Sequence, residues 1–68
     1  MTEMGEMVET IKKRRTLLRI TQEDLAQIAG TSLRTLKAIE SGKGNPTLHK
    51  LLKILNAIGM SLKAEIKS

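Results

Sequence analysis

Residues 21–42 read TQEDLAQIAGTSLRTLKAIESG, and this stretch decides the fold of the 68-residue chain. Thr21 suits a helix N-cap, because its hydroxyl can accept from the free N–H groups of a first turn. Asp24 stands three residues on, where a capping box puts an acid; it is shorter than the usual Glu or Gln, so the box is imperfect. Leu25, Ile28 and Ala29 follow at helical spacing and define an inner face. Gly30 stops the helix, since glycine reaches positive φ easily. Ser32 caps a second helix that Leu36 and Ile39 anchor inward. Two short amphipathic helices across the tight turn Gly30-Thr31-Ser32 make a helix-turn-helix, the unit whose second helix enters the major groove of DNA.

The flanking residues supply supporting elements. Val8, Ile11, Arg15 and Leu18 share one helical face, which predicts a first helix from about Glu6 to Leu18 after a flexible arm at residues 1–6. Ile20 and Leu25 stand where a hydrophobic staple would hold the chain's entry into the next helix. Downstream, Gly42-Lys43-Gly44-Asn45-Pro46 is a breaker-rich loop. Thr47 then caps a fourth helix, with Leu48, Leu51, Leu52, Leu55 and Ile58 as its apolar stripe and Gly59 as its stop. Ile54 and Ala57 widen that stripe beyond one packed face, which points to a second contact with another subunit.

After Gly59 the period changes. Met60, Leu62, Ala64 and Ile66 alternate with Ser61, Lys63, Glu65 and Lys67, the pattern of a half-buried strand. One strand cannot satisfy its own backbone, and no other stretch reads as a strand. Antiparallel pairing with the same strand of a second copy solves this; a short fifth helix or a frayed tail is the alternative. The expected dimer interface is Ile54, Ile58, Met60, Leu62, Ala64 and Ile66. The domain plan is an arm at 1–6, a helix-turn-helix domain at 7–59 and a dimerisation strand at 60–68.

Composition narrows the functions. Without Phe, Tyr or Trp the core must be aliphatic, and no aromatic platform exists for stacking single-stranded or RNA bases. There is no cysteine and one histidine, His49, read as a surface residue, so no thiolate or zinc site is expected and no metal is called for. No Ser or Thr has an adjacent base and no acid/base pair stands out, so the chain does not read as an enzyme, and no cofactor is expected. No apolar run approaches the roughly 20 residues that span a bilayer, and an acidic N-terminus is unlike a signal peptide. A cytoplasmic setting without membrane contact is the expectation. Net charge is +5, and it is segregated. Glu3, Glu6 and Glu9 precede a run of Lys12, Lys13, Arg14, Arg15 and Arg19, and residues 34–53 carry Arg34, Lys37, Lys43, Lys50 and Lys53 against Glu40 alone. Such clustering suits a polyanion.

The run ITQEDLAQIAGTSLRTLKAIESGKGNPTLHKLLKILNAIG resembles the Cro/C1-type helix-turn-helix regulators, also called the Xre family. The resemblance implies an all-α fold: a small four-helix, lambda-repressor-like domain, here followed by a strand. That C-terminal strand looks more like the HipB-like antitoxins, whose strand pairs across a dimer that binds a HipA-like serine/threonine kinase toxin. Two departures stand out: Arg19 where Gly or Asn commonly ends the first helix, and Thr31 where an aliphatic turn residue is commoner. The function implied is a homodimeric repressor on a palindromic double-stranded DNA operator; an antitoxin or adaptor that mainly docks a partner protein is the competing reading.

The resemblance also implies residue roles. Gln22 matches the family's phosphate-contacting Gln, and Arg15 and Glu40 match an ion pair between the first and third helices. On the third helix Leu33, Arg34, Thr35, Lys37 and Ala38 occupy the side away from Leu36 and Ile39 and form the expected base-reading set. Arg34 can grip guanine O6 and N7 or a phosphate, Lys37 is open between the same two, and Leu33 meets a thymine methyl or lies against the second helix. Ser32, Ser41, Lys43 and Asn45 complete the expected phosphate contacts, which position rather than specify.

Overall fold

The computed structural model describes residues 3–63. Four helices follow in order: α1 (Glu3–Leu17), α2 (Gln22–Ala29), α3 (Leu33–Glu40) and α4 (Leu48–Ala57). Three of them start on a hydroxyl cap. Thr21, Ser32 and Thr47 adopt extended backbone, and each side chain accepts from the N–H three residues on. At α2 the box closes, with the Thr21 N–H donating to Asp24 Oδ2 at 3.0 Å.

The helix ends share one geometry, a left-handed residue whose successor's N–H reaches back five residues to a helix carbonyl. Gly30, Gly42 and Gly59 take that position after α2, α3 and α4, and Arg19 takes it after α1 with φ 58°. The closing bonds run from Ile20 N–H to Arg15 O, Thr31 to Ala26, Lys43 to Ala38 and Met60 to Leu55.

The core is aliphatic and draws on every helix. Val8 and Ile11 come from α1, Leu25, Ala26 and Ala29 from α2, Leu36 and Ile39 from α3, and Leu51, Ile54, Leu55 and Ile58 from α4 and its end. α2 packs on both α3 and α4, and α1 packs on α3. Ala26 and Ala29 are the small buried residues of α2.

Several expectations from the sequence change here. Helix α1 begins at Glu3, so residues 3–6 extend the helix instead of forming an arm. Ile28 is exposed and Ala26 takes its place inside, because the inward direction of an eight-residue helix is set by Leu25, Ala26 and Ala29 together. Leu18 falls in the turn beyond α1 and is exposed. Ile54 and Ile58, expected at a dimer interface, are 0% and 1% exposed and belong to the chain's own core. Helix α4 is rotated about its axis relative to the sequence reading: Leu51, Ile54, Leu55 and Ile58 fill the core, leaving Leu48 at 62% and Leu52 at 42% exposure.

Residues 60–63 form no strand, and none occurs among the described residues. A strand exists by its ladder to a neighbour, and a single chain offers these residues no neighbour. Met60 instead closes the turn after α4 and packs partly on the core, while Leu62 is exposed. Ala64 and Ile66 lie outside the described residues.

Candidate nucleic-acid interface

Helix α3 is divided lengthwise. Leu36, Ile39 and Glu40 are buried, and Arg34 and Lys37 are exposed on the opposite side. Thr35 and Ala38 are half-buried at the margin, and Leu33 is half-buried and packs against the core. Of the expected base-reading set, Arg34 and Lys37 are therefore the side chains with reach. Short side chains at Thr35 and Ala38 between them leave the surface open to a closely approaching partner.

The expected phosphate contacts differ in availability. Lys43 and Asn45 are exposed. They lie in a loop folded back on the end of α3, where the N–H groups of Lys43 and Gly44 both donate to Ala38 O, at 3.2 and 3.0 Å. A Cβ on Gly44 would sit 3.2 Å from Ile39 N, so the close approach depends on the missing side chain. Asn45 thereby lines a groove with Arg34, Thr35 and Ala38. Ser32 and Ser41 are exposed, but their hydroxyls serve the helix. Ser32 Oγ accepts from Thr35 N–H and donates to Thr35 Oγ1, and Ser41 Oγ donates to Ala38 O.

Gln22 has a second role. Its Nε2 donates to Glu40 Oε1 at 3.2 Å; a carboxylate only accepts, so chemistry fixes which end of the amide faces it. The other N–H of that nitrogen is left for a further acceptor. Glu40, 6% exposed, is held chiefly by Arg15. Arg15 Nε and Nη2 donate to its two oxygens at 2.9 and 3.0 Å, and Nη1 donates to Ile20 O at 3.0 Å. This fork ties α1, the α1–α2 turn and α3 together, and through Gln22 it reaches the start of α2.

Arg14 also works as a clasp. Its Nε donates to Ile58 O at 2.9 Å, joining α1 to the end of α4 across 44 positions of sequence. No local pattern marks that partnership. Among the described residues, Asp24 is the ionisable group with a clear perturbation: the Thr21 backbone N–H, then the Thr21 hydroxyl, hold its carboxyl below the usual range.

Four helices with hydroxyl-capped α2 and α3 at the turn, a cationic outer side on α3 and a basic loop beyond it define a helix-turn-helix DNA-binding domain. The chain belongs to the helix-turn-helix family of Cro/C1 or Xre type, whose family model, described as helix-turn-helix, matches residues 11–64. It is 40% identical over 57 residues to an uncharacterized HTH-type transcriptional regulator of Methanocaldococcus jannaschii, covering 84% of this chain and 86% of the relative. A second uncharacterized HTH-type transcriptional regulator, from Sinorhizobium fredii, is 32% identical over 60 residues, 88% of this chain and 75% of its own. A transcriptional repressor of the cryptic phage CTXphi in Vibrio cholerae is 37% identical over 54 residues, 79% of this chain and 48% of the repressor. No solved structure gives a comparable match.

Proposed function

We propose that this transcriptional regulator is a repressor that binds its own operator as a homodimer, with α3 as the reading helix. The observation that carries the reading is the outer side of α3, where Arg34 and Lys37 stand exposed above a buried Leu36–Ile39–Glu40 side. Arg34 reads guanine, with Leu33, Thr35 and Ala38 setting how closely the helix approaches and Lys37 beside it. Gln22, Ser32, Ser41, Lys43 and Asn45 meet phosphates, Gln22 through the N–H that Glu40 leaves over and Ser32 and Ser41 by turning their hydroxyls on contact. Two copies related by a two-fold axis would read half-sites about 34 Å apart on a palindromic operator. Leu48, Leu52 and Leu62, exposed on and after α4, support a face between copies, which residues 60–68 would extend as a paired strand. The same leucines favour a second reading, an antitoxin that docks a HipA-like kinase toxin.

The test is fluorescence anisotropy at physiological salt, comparing the gene's upstream DNA with a scrambled duplex. Tight binding to the upstream fragment alone, lost in Arg34→Ala, is the expected result. Equal, weak, salt-sensitive binding to both fragments would overturn autorepression.

A further inference from the structure

We infer that Arg14 is a positioning residue for half-site spacing: from α1 it fixes the direction in which the chain leaves α4, and so the separation of the two reading helices in the homodimer proposed above, on which this inference rests. Arg14 is half-buried, and its Nε donates to Ile58 O at 2.9 Å. That carbonyl belongs to the last peptide before Gly59, which turns the chain out of α4 with φ 76°. Holding the plane of this peptide sets where residues 60–63 point. The guanidinium lies over the turn itself, since a Cβ on Gly59 would stand 3.4 Å from Arg14 Nη2. At the other helix ends the carbonyl in the same place, of Leu18, Ala29 or Ser41, accepts from no side chain among the described residues. Helix α4 has no base in its own last turn, so the cation that its carbonyl end favours comes from α1.

The next residue of α1 works in another direction. Arg15 holds Glu40 on α3 and Ile20 O before α2. Adjacent helical residues point about 100° apart, so one turn of α1 grips the end of α4 with Arg14 and the reading helix with Arg15. Helix α1 packs on α3 but shares no broad face with α4, which leaves the Arg14 bond as their polar tie among the described residues. A brace therefore runs from the α4 exit through α1 to α3. In the proposed dimer its first end is where the copies meet, with Leu62 exposed just beyond the exit, and its second end is on the operator. A stiff brace carries the angle of the exit into the distance between reading helices. A loose one lets the dimer accept several spacings.

The experiment measures binding of the full chain to the upstream fragment and to the same fragment with one or two base pairs inserted at the centre of its palindrome. Each insertion moves the half-sites about 3.4 Å apart and turns one by about 35°. Thermal melts and sedimentation equilibrium accompany every variant. Wild type is expected to lose about tenfold in affinity per inserted pair, because a stiff dimer must deform the DNA to reach both half-sites. Arg14→Met keeps the apolar stem and removes the donors. It should stay folded and dimeric, and lose less than about threefold per inserted pair, since the protein yields in place of the DNA. Arg14→Lys, whose ammonium still reaches one carbonyl, recovers the wild-type penalty. A dimeric Arg14→Met protein with the wild-type penalty would overturn the inference and leave the dimer reading intact. An Arg14→Met chain that does not fold, or whose binding to every fragment falls by one factor alongside Tm, would also overturn it, as the mark of a helix cap alone. Wild-type protein that stays monomeric, or binds no fragment, would remove the dimer reading and this inference with it.

Discussion

Arg19 is the non-glycine residue, among those described, with φ in the left-handed region. An L-residue there costs roughly 1–2 kcal/mol, which glycine escapes at some expense in unfolded-state entropy. Arg19 is exposed, so the side chain offers little packing in return. Arg19→Gly should therefore stabilise the fold by about 0.5–1 kcal/mol, a rise in Tm of about 2–8 °C by differential scanning calorimetry for a domain this small. A lower Tm would mean that the arginine side chain outweighs the backbone term. Arg15 is the opposite case. Its three donors hold Glu40 and Ile20 O at once, and removing them leaves a carboxylate buried with only Gln22 for company. Breaking such a pair costs about 3–5 kcal/mol, against total stability on the order of 3–10 kcal/mol for a chain of this length. Arg15→Ala should lose DNA binding by unfolding, visible as lost helical circular dichroism at 37 °C. Arg15→Lys should not rescue it, because one ammonium cannot span both carboxylate oxygens and the carbonyl. A folded Arg15→Ala protein that binds normally would contradict this.

At the scale of the element, the three N-caps are the clearest case of structure controlled by neighbours in sequence. Asp24 makes the cap of α2 dependent on pH. Its folded-state pKa lies below the unfolded value, so its contribution is present above about pH 4 and is lost as pH falls through the lowered value. Tm measured from pH 5 to pH 2.5 should fall more for wild type than for Asp24→Asn, which has no charge to lose; parallel curves would rule the effect out. Thr21, Ser32 and Thr47 were legible as caps, and Gly30 and Gly59 as stops, because each acts within a few residues of itself. The helical phase was less legible. Ile28, Ile54 and Leu52 are all apolar, and which of them turns inward depends on the neighbouring helices and not on spacing alone. The site followed the same division. Arg34 and Lys37 were visible as outward positions of α3, whereas the bond from Gln22 to Glu40 and the clasp from Arg14 to Ile58 O join residues 18 and 44 positions apart, with no local signature.

At the scale of the molecule, eleven buried aliphatic residues among those described make a small core, and the surface left over is both greasy and cationic. The two properties predict separate behaviours. Leu48 and Leu52 lie one helical turn apart on α4 and are exposed, so the Leu48→Glu, Leu52→Glu double variant should keep its helical circular dichroism. If these leucines face a second copy, its mass by sedimentation equilibrium should fall from two chains to one. An unchanged mass would place the dimer face elsewhere. The cations predict the response to salt. Lys43 and Asn45 come to the end of α3 on the loop that Gly44 folds down, where the proposed complex puts the DNA backbone whatever its sequence. For the proposed dimer, with roughly 6–10 phosphate contacts, affinity should drop by about 10³–10⁵ between 50 and 200 mM salt. Lys43→Ala should weaken operator and scrambled duplex by the same factor, whereas Arg34→Ala should cost about 1–3 kcal/mol on the operator alone. If Lys43→Ala shifted base preference, the loop would be reading bases, and the division between a reading helix and a positioning loop would not hold.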